Sequence, residues 1–152
     1  DDCDTLVDED GARPSAWCVD GDGDGFGDPA TRMDICATLG PPFVRNCDDC
    51  WDSSDPLRAR EAALVHPGQT SYFASPYCVS RGDCRFDYDC DGAETKEAPN
   101  EERCALLNVF RCGSGAGWRA PVPDCGVEGV YARCAFRLVC APAPVTRRQA
   151  CR

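Results

Sequence analysis

The sequence predicts a small, disulfide-rich fold that is mostly irregular, with short β-strands and two short helices. Three observations lead to this class. Fourteen of the 152 residues are cysteine, a density typical of secreted chains that disulfides stabilise. The chain also holds 14 glycines and 12 prolines, which interrupt regular structure throughout its length. Segments with helical or strand periodicity are few and short.

The cysteine content also indicates where the protein resides. A reducing cytosol would leave these thiols free, and no cysteine–histidine cluster has zinc-finger spacing. We therefore expect an oxidised protein, secreted or on the cell surface, whose signal peptide has been removed before Asp1. No apolar run approaches the ~20 residues that cross a bilayer, which predicts no membrane insertion. Arginine outnumbers lysine by 15 to 1, a bias that suggests a bacterial, GC-rich source.

Charge and cysteine content divide the chain near residue 97. Residues 1–97 hold 22 acidic and 8 basic side chains, a net charge of −14, with eight cysteines. Residues 98–152 hold 4 acidic and 8 basic side chains, a net charge of +4, with six cysteines. Both cysteine counts are even, so each part can close its own disulfides, although the pairing cannot be read from sequence. We predict an acidic domain over 1–97 that binds no nucleic acid, and a basic, disulfide-rich domain over 98–152.

Two segments are predicted to be helical. In SDPLRAREAALVHPG, Asp55 is the expected N-cap and residues 66–68 are the expected end. In NEERCALLNVFRCG, Asn100 is the expected cap and Gly113 follows the last turn. The segment GVYARCAFRLVCAP (residues 129–142) has strand-favouring residues after a glycine-containing turn. The second domain is therefore predicted to contain one helix and a β-hairpin.

The stretch DGDGDGFGDPAT has the pattern of a calcium-binding loop. When Asp20 is numbered 1, aspartates occupy positions 1, 3, 5 and 9, and glycine occupies position 6. In an EF-hand these positions place oxygens around one Ca²⁺ at ~2.3–2.6 Å, and the glycine permits a sharp turn. Position 12, normally a bidentate glutamate, is Thr31, so this is not an EF-hand and further ligands must come from elsewhere. The predicted ligands here are Asp20, Asp22, Asp24, Asp28 and the main-chain carbonyl of Phe26.

Three more acidic stretches extend the candidate site. NCDDCWDSSDP is the natural donor of the missing ligands, DYDCDG places aspartates at positions 1, 3 and 5 with glycine at 6, and DDCDTLVDED places them at 3, 5 and 9. DYDCDG and DDCDTLVDED can each also be an ordinary acidic turn, and Asp55 is equally explained as a helix cap. These stretches contribute the candidates Asp48, Asp49, Asp52, Asp55, Asp87, Asp89, Asp91, Asp2, Asp4 and Asp8.

Oxygen ligands predict Ca²⁺, with two or three ions bound and the fold stabilised by metal. Mg²⁺ fits less well because it requires a smaller octahedron, and copper would require softer ligands. The chain has one histidine and one methionine, His66 and Met33. His66 is expected to bind a carbonyl at a helix end. Cys47 and Cys50, flanked by acids that disfavour a thiolate, are expected to form a structural disulfide.

Four motifs occur in a fixed order over residues 1–97: WCVDGDGDGFGDP, NCDDCWDSSDP, HPG and DYDCDG. In this order they resemble the MopE-type metal-binding repeat of bacterial surface and secreted proteins, and DDCDTLVDED resembles the tail of a preceding repeat. The chain departs from that pattern by the insertions LRAREAALV and SRGDCRF, and by Thr5 in place of glycine. The aspartate spacing is also similar to thrombospondin type 3 repeats, in which calcium forms the structural core. Residues 98–152 carry no such resemblance.

The sequence does not predict an enzyme. One histidine leaves no serine–histidine–aspartate set, and the clustered carboxylates are better used as calcium ligands. We expect a calcium-stabilised extracellular structural protein, that is, a surface, adhesive or filament-forming subunit. The alternative is a soluble secreted binding module or inhibitor whose basic, cysteine-rich C-terminal domain is the recognition face.

The first residues suggest self-association. When DDCD is aligned with YDCD, Asp1 falls on Tyr88, and the residue that would match Asp87 precedes the sequence. If Asp1 is the mature terminus, this loop lacks one ligand, which water, a distant loop or another subunit must supply. A contact between the acidic part of one copy and the basic part of the next would be head-to-tail, and such contacts form rings or filaments. We therefore expect a calcium-dependent homopolymer, unless the loop is simply cut there.

Overall fold

The computed structural model describes residues 14–101, 106–108, 111–112, 115–137 and 139–152. These residues form two compact units. The first contains the described part of Asp1–Thr70 with Val79–Asp83 and Asp87–Ala93, and the second contains Ser71–Cys78, Cys84–Phe86 and the described part of Glu94–Arg152. The chain thus passes between the units several times before residue 94. The assignment of separate domains to 1–97 and 98–152 stays a prediction.

Short strands and turns build the first unit. The elements are β1 (Ser15–Val19), a 3₁₀ turn (Pro29–Thr31), β2 (Met33–Ile35), β3 (Phe43–Val44) and helix α1 (Ala59–Ala62). The strands form a sheet in the order β2-β1-β3, and both neighbouring pairs are antiparallel. Strand β1 ends immediately before the aspartate-rich loop DGDGDGFGDPAT, so the sheet determines where that loop begins.

The helix predicted from Asp55 is present as a single turn, α1. Asp55 does cap the chain leading into it, because its Oδ1 accepts the main-chain N–H of Leu57 at 3.0 Å. The helix ends early because the N–H groups of Leu64 and Val65 bond three residues back, to Glu61 and Ala62, which tightens the turn.

The second unit is dominated by a long β-hairpin. Strands β9 (Glu128–Arg137) and β10 (Val139–Arg148) pair antiparallel over ten registered positions, and β8 (Gly117–Trp118) pairs with β9. The segment 129–142, predicted to be a strand, is therefore divided between the two strands of this hairpin. A further hairpin joins β4 (Tyr77–Ser80) to β5 (Asp83–Arg85).

The second predicted helix, from Asn100 to Arg111, is wrong over its described residues. Leu106–Asn108 (β6) and Arg111–Cys112 (β7) are antiparallel strands. The capping residues that suggested a helix are a weak signal, which pairing with a neighbouring strand overrides. Valine, phenylalanine and cysteine at 109, 110 and 112 also favour a strand over a helix.

Disulfide bonds stabilise each of the two units from within. The described bonds include Cys18–Cys47, Cys50–Cys90, Cys78–Cys84 and Cys125–Cys151, and no cysteine in the described part of the chain is free. Cys47 and Cys50 are thus both in disulfides, though not with each other. This pattern fits an oxidising, extracellular-type environment. Among the described residues, no helix is long and apolar enough to span a membrane.

Tryptophans occupy the small cores. Trp17 and Trp51 in the first unit are 5% and 6% exposed, and Trp118 in the second is fully buried. The guanidinium of Arg45 lies 4.6 Å from the Trp17 ring centroid, and that of Arg58 lies 5.0 Å from Trp51. The two guanidinium groups thus cover the tryptophan rings in a core that has few aliphatic side chains.

Candidate metal centre

The loop after β1 wraps around its own carboxylates. Asp20 accepts the main-chain N–H of Gly23 at 2.6 Å through Oδ1 and that of Gly25 at 3.0 Å through Oδ2. Gly25, at loop position 6, has φ of +94°, a conformation that only glycine adopts without strain. The sharp turn expected from the sequence at position 6 is therefore present.

The next two aspartates each use only one oxygen within the protein. Asp22 Oδ1 accepts the N–H of Asp24 at 3.2 Å, and Asp24 Oδ1 accepts that of Phe26 at 2.8 Å. The Oδ2 atoms of both residues are buried and have no hydrogen-bond partner among the described residues. Buried acceptors in native proteins nearly always have a partner, so two such oxygens in one loop require an explanation.

A second chain segment adds carboxylates to the same place. Asp49 is only 3% exposed; its Oδ1 accepts the N–H of Trp51 at 2.9 Å and its Oδ2 is buried without a partner. Both oxygens of Asp52 lie 2.9 Å from the N–H of Gly21. Carboxylate oxygens of Asp22, Asp49 and Asp52 lie within 4.8 Å of one another. The stretch predicted to supply the missing ligands thus does reach the first loop.

Asp22 also belongs to a second group, so the two groups together bring five carboxylates close to one another. Oxygens of Asp20, Asp22 and Asp24 lie within 4.8 Å of one another. Three of the oxygens in this centre have no partner in the part of the chain that the structure describes, and they come from both segments. We call this set of five side chains the first carboxylate cluster: Asp20, Asp22, Asp24, Asp49 and Asp52.

The electrostatics of the cluster disfavour negative charge in the absence of a cation. Burial, followed by the neighbouring charge of Asp24, raises the pKa of Asp22 to about 7. Burial likewise raises the pKa of Asp49 to about 6. It also raises the pKa of Asp24, against the opposing hydrogen bond from Phe26 and the nearby His66 ring. A bound divalent cation would favour the charged carboxylates and so oppose these shifts.

These pKa shifts predict opposite pH dependences with and without calcium. A raised pKa means that the metal-free folded state binds more protons than the unfolded chain between about pH 4 and 7, so its stability falls as pH rises through that window. Calcium needs the deprotonated carboxylates, so its stabilising effect should grow over the same window. We expect the rise in melting temperature on adding calcium to be small at pH 5 and full at pH 8. Thermal melts at both values, with calcium or chelator, test this; equal increments would contradict it.

Other predicted ligands lie elsewhere. Asp28 caps the 3₁₀ turn, with Oδ1 accepting the N–H of Ala30 at 2.8 Å, so a local cap explains the aspartate at position 9. Asp48 is exposed and belongs to none of the carboxylate groups found in the described residues. Asp55 is exposed and caps the turn before α1. The candidates Asp2, Asp4 and Asp8 lie outside the described residues.

The DYDCDG stretch forms a loop of the same local design. Asp87 accepts the N–H of Gly92 at 3.1 Å, as Asp20 accepts that of Gly25, and Gly92 also has a positive φ, +83°. The position-5 aspartate of each loop accepts the N–H two residues later, at 2.8 Å in both. The repeated spacing in the sequence therefore corresponds to a repeated hydrogen-bond pattern.

The second loop also gathers its carboxylates. Oxygens of Asp87, Asp89 and Asp91 lie within 4.8 Å of one another, and Asp91 is exposed. We call these three side chains the second carboxylate cluster. The disulfide Cys50–Cys90 links it covalently to the segment that carries Asp49.

Sequence reasoning missed the groups that orient the ligands. The N–H groups of Gly21 and Trp51 hold Asp52 and Asp49, and nothing in the sequence distinguishes these donors from other main-chain groups. Gly21 has a steric signature only in the structure: a Cβ there would lie 2.8 Å from Asp52 Oδ1. His66, expected to contact a carbonyl, has Nδ1 3.0 Å from the Pro67 oxygen, and its ring also stacks on Phe26.

Comparisons with models of protein families, with curated proteins and with solved structures found no significant match to this chain.

Proposed function

We propose that this chain is a calcium-stabilised extracellular structural protein whose first carboxylate cluster binds one Ca²⁺. One observation carries the proposal. Among the described residues, the buried Oδ2 atoms of Asp22, Asp24 and Asp49 have no hydrogen-bond partner, and each of these residues belongs to a group whose carboxylate oxygens lie within 4.8 Å of one another. Like charges this close destabilise a fold unless protonation or a shared cation neutralises them.

The chemistry of the donors favours calcium over other cations. Every candidate atom in the cluster is oxygen, which suits a hard cation, and the cysteines beside it, Cys18, Cys47 and Cys50, are in disulfides and supply no thiolate. Five carboxylates with adjacent main-chain carbonyls match the six to eight oxygens that calcium takes. Magnesium would retain several waters instead of collecting so many protein ligands.

A second ion in the second carboxylate cluster is part of the same proposal. Its support is the hydrogen-bond pattern shared with the first loop at positions 1 and 5. A third ion, in DDCDTLVDED, rests on the sequence alone. Each ion would offset two of the negative charges in the net −14 carried by residues 1–97. This reduces self-repulsion in that part of the chain.

A structural role is the proposal that agrees best with these features. Extracellular calcium modules bind at roughly 10⁻⁴–10⁻³ M, so such a chain would complete its folding only after export. The opposite net charges of residues 1–97 and 98–152 suit head-to-tail contact between copies. The alternative is a soluble binding module or inhibitor, which would act as a monomer.

We predict that the protein forms a calcium-dependent homopolymer. In millimolar calcium it should elute as large assemblies and show rings or filaments by electron microscopy, and chelator should disperse them. High salt should weaken the assembly as well, because contacts between opposite net charges are screened. Isolated particles in calcium, unchanged by chelator, would contradict the structural role and favour the monomeric binding module.

A further inference from the structure

The single histidine is held in a fixed position beside the first carboxylate cluster. The rings of His66 and Phe26 are stacked, with centroids 5.3 Å apart and an interplanar angle of 16°. His66 Nδ1 donates to the Pro67 carbonyl oxygen at 3.0 Å, since that oxygen can only accept. The main-chain N–H of His66 donates to the Tyr88 carbonyl at 3.0 Å. Side chain and main chain of His66 are thus both anchored.

Phe26, the stacking partner, precedes Gly27, whose main chain joins the two segments that supply the cluster. The N–H of Phe26 donates to Asp24 Oδ1 at 2.8 Å. The N–H of the following residue, Gly27, donates to the Asn46 carbonyl at 2.9 Å, and the Gly27 carbonyl accepts the N–H of Asp49 at 3.3 Å. A change in the main-chain conformation at Phe26 would therefore disturb candidate ligands in both segments.

The main chain at this point has little freedom to adjust. Gly27 is buried, and a Cβ there would lie 2.8 Å from the Cys18 Cβ. Phe26 occupies loop position 7, whose main-chain carbonyl is the ligand in loops of this spacing, and no described residue donates a hydrogen bond to it. The orientation of the Phe26 peptide therefore decides whether that oxygen can face a cation.

We propose that His66 is a positioning residue for the calcium site: its ring holds Phe26, and through Phe26 the position-7 carbonyl and Asp24. This inference rests on the proposed calcium site. His66 itself is not assigned as a ligand. A ring at position 66 is needed for this role, whereas the imidazole nitrogens are not needed to contact the metal.

The test is a double-mutant cycle read out by calcium titration calorimetry and by melting in chelator. Replacing His66→Leu or Phe26→Leu should weaken calcium binding about threefold to tenfold, the range expected from losing an aromatic stack. His66→Phe keeps a ring and should bind within about twofold of the wild type. The double variant should be no weaker than the worse single variant, because both changes break one contact.

The melts in chelator separate positioning from general stability. If His66 only stabilises the fold, His66→Leu should lower the metal-free melting temperature and leave calcium affinity unchanged, which would overturn the inference. Additive losses in the double variant would also overturn it, as would a His66→Phe variant as weak as His66→Leu. Phe26→Leu provides a second reading if His66→Leu folds poorly. A wild type that binds no calcium would overturn the site itself, and the inference with it.

Discussion

Removal of calcium by a chelator is expected to lower the melting temperature by about 10 °C or more. An ion present at 100 times its dissociation constant stabilises a fold by about 2.7 kcal/mol, and 1 kcal/mol shifts the melting of a unit of 60–100 residues by about 4–8 °C. The ion also removes the repulsion among the buried oxygens of Asp22, Asp24 and Asp49. Calorimetry in 10 mM calcium and in excess chelator measures the difference.

Adjacent aspartates provide a matched pair of variants for this effect. Asp49→Asn removes a buried charge from the cluster, so we expect it to abolish the calcium increment and to raise the melting temperature in chelator. Asp48→Asn changes an exposed neighbour outside the cluster, and should leave the increment intact. Equal melting with and without chelator, or equal effects of the two variants, would contradict the assignment.

The second large effect is expected from the disulfide Cys18–Cys47. Cys18 lies two residues before Asp20 and Cys47 two residues before Asp49, so the bond joins the two segments that form the cluster. Its sequence separation of 29 residues predicts a loss of about 3–4 kcal/mol when both cysteines become alanine. Calcium affinity should also fall, by at least about fivefold, because the segments are no longer held together.

The hairpin disulfide Cys78–Cys84 is the control for that experiment. Its sequence separation is only 6 residues, and it joins none of the segments of the first cluster. The double alanine variant there should lose less stability and keep its calcium affinity. By linkage, calcium should protect Cys18–Cys47 from a dithiol reductant by the same factor as the disulfide strengthens calcium binding. Equal calcium affinities for the two double variants would contradict this coupling.

Structural features that depend on residues close together in the sequence could be predicted, whereas features that depend on distant residues could not. The turn at Gly25 and its counterpart at Gly92 follow from aspartates and glycine at fixed spacing, so the sequence located both loops. The need for ligands from a second segment followed from counting oxygens in the first. The sequence did not show which aspartates of NCDDCWDSSDP turn inward, because the pairing of Cys47 and Cys50 with distant cysteines sets that direction.

The errors have the same origin. Capping residues suggested a helix after Asn100, yet Leu106–Asn108 pairs with Arg111–Cys112 as a strand, since tertiary pairing outweighs helix propensity. Asp28 fits position 9 of a calcium loop and also fits a cap, and the structure uses it as a cap. The stack of His66 on Phe26 joins residues 40 positions apart, which no local pattern encodes.

The central claim is that the first carboxylate cluster binds calcium, and anomalous diffraction tests it most directly. Crystals grown in 10 mM calcium, measured at long wavelength, should show one anomalous peak about 2.3–2.6 Å from the Oδ2 atoms of Asp22, Asp24 and Asp49. Asp49→Asn crystals grown in the same solution should lose or weaken that peak. A wild-type map with ordered Asp22, Asp24 and Asp49 side chains and no peak between them would contradict the account.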